Sequence, residues 1–540
     1  MKKVFLLLVC LTSLLSSLWA QEETYTATDL YNLAGECVKV GNYDDAISYL
    51  SDAKKLDPMS SDIYALSSAI MGDYIVQEIA KGKASNDTIL SLIPYCLSDM
   101  NNAIQFWTNK ADRSLSLLYF TRGFFLKKLG YYEKAFADLN VAHENLKKDE
   151  YKLAIDVLRH RAEIFKASGY ATNYQLDMSE AITYCKRGTK NDPNDVYYYD
   201  TRANIEHRMG FDKLMIETIF NRLEKIPVKD YEEIDGYEKA LILDIAHCKK
   251  LVDKKLKKDP NNPAWLYIQA LISFYSRDYV LALQQYDAMI NKLGPAYRLY
   301  HAKFLCYHDT RCYDKGMAVL EKMEQLYDSI DVDDTYYKMQ LHAVKGEHEK
   351  VVEIADNLLN TLGYNAYVLL NRAYSYKALN QDAKAMVDLN TVIAKEPTKA
   401  AAYNRRARLH RKYGAMEMAK LDDEMVLKYD TICDDSSVRY YSLYFLGQED
   451  EAIKWVDGIV AGSPKSISRH YDRACIMSLM GKTDEALKSL RIAMELGFGD
   501  FEHLMLDEDL TNLRQLPEFM ELVAKYQQVH DDFCSKLVDP

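Results

Sequence analysis

The chain is poor in the signatures of chemistry. Its 540 residues contain no G-x-S-x-G elbow, no Walker loop and no H-E-x-x-H helix, and the twelve His residues are dispersed. Nucleophilic, phosphoryl-transfer and zinc-hydrolase sites need their groups at those fixed spacings. The sequence therefore offers no catalytic, cofactor-binding or metal residue, and it reads as a non-enzyme. The acidic run Asp331-Val332-Asp333-Asp334 lacks the Gly and the closing Glu of a calcium loop, so it reads as a helix N-terminus. Ten Cys occur without a single C-x-x-C, which argues against metal ligation and a disulfide framework. Cys37 and Cys185 fall at inward helical positions, where a thiol serves as a small apolar filler. Cys306 and Cys312 are the only close pair, and one disulfide there is expected to be open to an oxidising compartment.

Basic excess is also missing. The balance of 68 Lys and Arg against 80 Asp and Glu, net −12, argues against nucleic acid as a partner, because neutralising phosphates needs concentrated cations. Beyond the N-terminus no apolar run approaches the ~18 residues of a membrane span. The N-terminus itself has Lys2 and Lys3, an apolar run from Val4 to Leu15, and small or polar residues ending at Ala20. That order predicts a secretory signal peptide over 1–20 and an exported mature chain, periplasmic or secreted. Cys10 after Leu7-Leu8-Val9 leaves an outer-membrane lipoprotein as the weaker alternative, since Val9 stands where a small residue is wanted.

What the chain has in abundance is a beat of thirty-four residues, clearest in AYVLLNRAYSYKALNQDAKAMVDLNTVIAKEPTK from Ala366 to Lys399. Ala373 and Ala385 stand twelve apart, Asn380 sits at the turn, and Pro397 closes the unit. The unit from Ala27 repeats the plan with Ala34, Gly41, Ala46 and Pro58, and others follow at Gly123/Ala135, Ala270/Ala282, Ala407/Ala419 and Ala474/Ala486. Such a unit is a helix-turn-helix that cannot bury its apolar face alone and must stack on copies of itself. These residues resemble the tetratricopeptide repeat (TPR). The resemblance implies an all-α, right-handed superhelical solenoid of about twelve or thirteen hairpins, whose helices approach through the small residues.

The expected organisation is an N-terminal array over 21–262, degenerate at 61–110 and 229–262, a C-terminal array over 263–498, and a cap over 499–540. Met71 to Ala103 requires a longer hairpin than the norm. Ala162 and Ala181 are nineteen apart, which predicts a loop or helix extension over 171–178, and 229–263 suggests a long helix at a bend. In the cap, Leu510, Leu513 and Leu516 can cover the last apolar face, with Asp507, Glu508 and Asp509 meeting solvent or a helix N-terminus.

Two sets of polar residues stand out. Arg122, Arg372 and Arg406 each precede an Asp by sixteen residues, at Asp138, Asp388 and Asp422, whereas Arg161, Arg202 and Arg473 read as lacking that acid. Sixteen residues carry the chain from one helix to the facing one, so an ion pair within the repeat is favoured over a column of binding arginines. The second set lies on the concave face that the resemblance assigns to partners: Tyr367, Asn371, Tyr374, Lys377, Asn404, Arg405, Arg408, Arg411 and Lys412. A basic, aromatic patch in an acidic chain suits an acidic or C-terminal segment of a protein partner. The family's carboxylate clamp matches only at Asn371 and Arg405, with Tyr336, Gln340 and Ala401 at the other places. The expected function is an exported scaffold for protein partners, in a cell-envelope assembly. The alternative is a glycan-binding envelope protein on the same frame, which the four Trp and the few long loops disfavour.

Overall fold

Each hairpin is set by local chemistry at its start and its turn. Helix α1 (Ala27–Lys39) opens on a capping box in which Asp29 accepts the Thr26 amide at 2.9 Å and the Thr26 hydroxyl answers the Asp29 amide at 3.2 Å. It ends at Gly41, whose φ of +78° reverses the chain into α2 (Tyr43–Leu56). Gly130, Gly169, Gly210, Gly414, Gly447 and Gly481 make the same left-handed turn. Asn380, Arg277 and Arg311 do so without glycine, at φ of 56°, 60° and 62°.

The computed structural model describes residues 25–82, 87–226, 231–432 and 437–540. The signal peptide expected over 1–20, with Cys10, lies outside them. By packing the chain forms two units, Met1–Pro227 and Val228–Pro540. The first continues with α3 (Ser61–Ala80), α4 (Asp87–Gln105), α5 (Leu115–Lys128), α6 (Tyr132–Glu144), α7 (Tyr151–Ala167), α8 (Ala171–Asn191), α9 (Val196–Arg208) and α10 (Asp212–Lys225). The second opens with two single-turn helices and a 3-10 turn, then α11 (Ile245–Lys258), α12 (Pro263–Tyr275), α13 (Tyr279–Leu293), α14 (Tyr297–Asp309), α15 (Tyr313–Leu326), α16 (Val332–Val344) and α17 (His348–Leu362). It goes on through α18 (Ala366–Ala378), α19 (Asp382–Lys395), α20 (Ala400–Lys412), α21 (Met416–Tyr429), α22 (Arg439–Phe445), α23 (Glu449–Gly462), α24 (Ile467–Leu479) and α25 (Thr483–Glu495). The chain ends with α26 (Phe501–Leu506) and α27 (Pro517–Lys536).

Among the described residues, five helical hairpins in the first unit and seven in the second make twelve, within the twelve or thirteen the beat implies, and no strand occurs. Within each unit, each second helix packs on the first helix of the next hairpin. Small residues set the spacing: Ala373, Ala385, Ala407, Ala419, Ala474 and Ala486 are all buried. At Gly123 a Cβ would stand 3.1 Å from the Ala135 carbonyl oxygen and 3.2 Å from Leu139, so α5 and α6 touch backbone to side chain.

Three expectations change. Residues 171–178 are no insertion: Gly169 turns the chain and α8 starts at Ala171 in ordinary register, with Tyr174 standing where the small residue usually sits. The extra length lies at the outer ends of α7 and α8. The segment 229–263 is broken at Gly236 and again at Asp244, where the side chain caps α11 through the His247 amide at 2.9 Å. It joins the second unit, because α11 packs on α12. Cys306 is a buried free thiol, and Cys312 bonds instead to Cys534, 222 residues on.

That bond fixes the cap. Leu504, Leu510, Leu513 and Phe519 are fully buried in one core with Ile476, Met477 and Leu490 of the last hairpin, and Leu516 packs against it. Helix α27 then brings His530 within 3.3 Å of the Arg311 carbonyl. Past it, Lys315 donates to the Leu537 carbonyl at 2.6 Å and Tyr307 to that of Val538 at 2.5 Å. The C-terminus is thereby laid against α14 and α15.

Candidate functional site

The arginines that stand just before the small residue of the first helices divide the site from its frame. Arg372 donates through Nε and Nη2 to both oxygens of Asp388, at 2.8 and 2.7 Å, and Arg406 does the same to Asp422 at 2.9 and 2.7 Å. Arg122 and Asp138 repeat the geometry at 2.7 and 2.6 Å. Arg161 and Asp177 repeat it as well, at 2.7 Å twice, so the sixteen-residue rule holds in a fourth unit where the sequence reading had found no acid. In every one of the four, the remaining Nη1 reaches the second helix of the preceding hairpin: Asn101, Asn140, Asp356 or Asn390. These arginines staple three helices together and are framework. Arg473 achieves the same with Asp457, Ser489 and Glu485, while Arg202 turns to Glu206 on its own helix.

The nine residues expected to bind a partner lie on α18 and α20, and they fall into three groups. Lys377, Arg408, Arg411 and Lys412 already have acidic partners. Lys377 bonds Glu508 at 2.7 Å, and Arg408 holds Asp509 through two bonds, 3.1 and 2.9 Å, with its guanidinium 4.4 Å from the Tyr441 ring centre. Asp509 is buried, so this acid of the cap faces the basic patch rather than solvent. Burial pulls the Arg408 guanidinium down, but Tyr441 and Asp509 outweigh it and hold it above its ordinary value. Arg411 binds Asp423, which also accepts the Ser442 hydroxyl at 2.8 Å, and lies 3.7 Å from the Phe445 ring. Burial, then repulsion from Arg408, brings Arg411 down to about 10. Lys412 and the Tyr413 hydroxyl share Asp382.

A second group faces outward. Tyr367 and Tyr374 are 40% and 39% exposed. Asn371 donates back to the Tyr367 carbonyl at 2.9 Å, and Tyr367 meets Gln340 and, edge to face at 5.5 Å, Tyr336. Three of the clamp places, Tyr336, Gln340 and Asn371, are thus spent on Tyr367.

The third group is Asn404 and Arg405. Together with Tyr374, Arg408, Tyr441 and Asp472 they line a cleft of about 390 Å³ whose other walls include Ala373, Leu389 and Leu409. Arg405 makes one hydrogen bond, from Nη1 to the Leu370 carbonyl, and burial lowers its pKa. Asp472 pairs with Arg469 at 2.6 Å, and burial pushes its carboxyl up to about 6. Sequence spacing flagged Asn404 and Arg405 but missed Tyr441 and Asp472, which come from later hairpins.

No protein-family model matches the chain, and no curated protein does. Solved structures that align with it include the APC/C hetero-tetramer Cut9–Hcn1, 12% identical over 93% of this chain and 96% of that one, TM-score 0.30. Yeast Tom70 aligns at 14% identity over 94% and 97%, TM-score 0.36. Naa15/Naa10 bound to HypK-THB aligns at 14% over 95% and 87%, TM-score 0.32. At those scores the likeness carries no argument, and the fold rests on this chain's own hairpins and left-handed turns. The described residues form an all-α array of helical hairpins. No helix among the described residues is long and apolar enough to cross a membrane.

Proposed function

We propose that this protein is an exported, non-enzymatic scaffold that holds a protein partner on the face built by α18 and α20, as part of a cell-envelope assembly. The observation that carries the reading is the division of labour among the arginines. Framework arginines are saturated by carboxylates and amides on three helices, while Arg405, a residue away from the stapled Arg406, is left facing a cleft beside exposed Tyr367 and Tyr374. An aromatic, cationic surface on a rigid frame is suited to recognition. Export rests on the N-terminal Lys2-Lys3, apolar run and Ala20.

Affinity capture from envelope fractions tests it, comparing the mature chain with Tyr367→Ala and Tyr374→Ala combined, a change of exposed residues that leaves the staples in place. One stable protein partner is expected, lost in the variant. Retention of every captured protein by the variant would sink the face, and binding on a glycan array with no protein partner would move the reading to the glycan alternative. Mass spectrometry of the exported protein should show Gln21 at its N-terminus; an intact Met1 with the chain retained inside the cell would refute export.

A further inference from the structure

Away from the recognition face, one cluster of side chains has the chemistry of a cation site. Cys312 stands at the N-cap of α15, and His530 and Cys534 lie four residues apart on α27, so the last two share a face of one helix. One ligand atom from each, two sulfurs and an imidazole nitrogen, fall within 4.8 Å of one another, and no other such group occurs among the described residues. In the structure the two sulfurs are bonded to each other. His530 brings its Nε2 to 3.3 Å from the Arg311 carbonyl and 3.5 Å from the Cys534 sulfur. A disulfide that only ties α27 down needs no imidazole against its sulfur.

Space is kept for that ring. A Cβ on Gly499 would stand 2.7 Å from His530 Cε1 and 2.9 Å from Nε2, so any side chain there would push the imidazole away. The next residue, Asp500, lines a cleft of about 420 Å³ together with Cys312, His530 and Cys534, and its Oδ1 is buried with no hydrogen-bond partner. A buried acceptor left so is costly, and a water held by a cation in the cleft would meet it.

The donor set narrows the class. Two thiolates and an imidazole are soft to borderline ligands, which select zinc(II) and its like over calcium or magnesium, and three protein ligands leave a fourth place for water. The amides at the start of α15 favour the thiolate form of Cys312.

We propose that, when the disulfide is reduced, Cys312, His530 and Cys534 hold a zinc-type divalent cation whose fourth ligand is a water facing Asp500. The sulfur bond and the cation exclude one another. A dithiol reductant gives the Cys312–Cys534 bond two electrons and two protons and itself becomes a disulfide; the cation then displaces both thiol protons to solvent. Either state pins α27 to the start of α15, so the C-terminal helix stays anchored in oxidising and reducing surroundings alike.

The test titrates cobalt(II), then zinc(II), into the mature chain after reduction by tris(2-carboxyethyl)phosphine and removal of the phosphine without oxygen. The phosphine supplies the two electrons and takes up the oxygen of a water, whose two protons go to the thiols. About one cobalt per chain is expected, with thiolate-to-cobalt charge-transfer absorption and the strong d–d bands of a tetrahedral site, both bleached by an equivalent of zinc. The oxidised chain should show neither. No thiolate band in the reduced chain, or the same band in Cys312→Ser, overturns the site, since the chain's other cysteines would account for it. His530→Gln separates ligation from folding. Oxidised, it should still hide the Cys312 and Cys534 thiols from a thiol count, which shows the two segments in place; reduced, it should bind cobalt at least about tenfold more weakly than the parent. Equal affinity in that variant would remove the imidazole from the site and refute the proposal.

Discussion

Helix α20 presents two edges, and they are built on opposite principles. Along one, Arg406 is clamped by Asp422 and Asn390, so its charge is met by groups from neighbouring helices. Along the other, Arg405 bonds the Leu370 carbonyl, the Asn404 amide nitrogen has no hydrogen-bond partner, and both line a cleft. The residue type is the same, and the sequence positions are adjacent. What differs is the partner a helix away: the stapled edge faces the second helices of two hairpins, and the open edge faces only the first helix of the hairpin before it and the cleft. Clamped charges fix geometry, and groups left on a cleft are available for recognition.

The comparison breaks most sharply at Asp423. It is fully buried between Arg411 and Ser442, and Arg411 already has an unpartnered Nη1. Asp423→Ala should destabilise the second unit by about 3–4 kcal/mol, because it strands a buried guanidinium; urea unfolding followed by circular dichroism measures it. An effect no larger than that of an ordinary surface substitution would show that Arg411 finds water instead. A step down is Asp388→Ala, which frees two of the three Arg372 bonds while Asp356 remains, with an expected loss of about 2 kcal/mol. A double-mutant cycle with Arg372→Ala should recover a coupling of about 1–2 kcal/mol, and strict additivity would deny the staple.

The smallest effect concerns pH. Asp472, 26% exposed as a side chain, has its carboxyl pushed up to about 6 from 3.8 by burial, against the pull of Arg469. A raised folded-state pKa on an acid means that the folded form prefers the proton. The contribution is complete below 3.8 and is lost as pH rises through about 6. After allowance for solvent, about 1–2 kcal/mol should disappear across that window, and Asp472→Asn should flatten it. A variant whose Tm still falls by the same amount between those pH values would place the titration elsewhere.

Much of the frame was legible because its determinants are local. The Gly41 turn, the Thr26 capping box and the small pair Ala373/Ala385 act within one hairpin, and counting such units gave the right number. The Arg–Asp pairs were legible too, since a fixed offset of sixteen spans the turn. Arg161 and Asp177 stand the same sixteen apart, so that pair too was open to the sequence. The nine patch residues share α18 and α20 as the beat implied, but spacing could not separate Arg405 from Arg408. That distinction depends on Asp509, 101 residues beyond Arg408.

The sequence by itself determined the hairpins, their register and the staples within them, because each of these follows from contacts less than one repeat apart. The tertiary structure alone decided that Asp509 of the cap is buried against Arg408, with Glu508 reaching Lys377, and that Cys312 finds Cys534 rather than Cys306. Both require a chain end to return past several hairpins, and nothing in a local period encodes where it lands. That return uses up Lys377 and Arg408 and leaves Arg405 and Asn404 lining the cleft beside them.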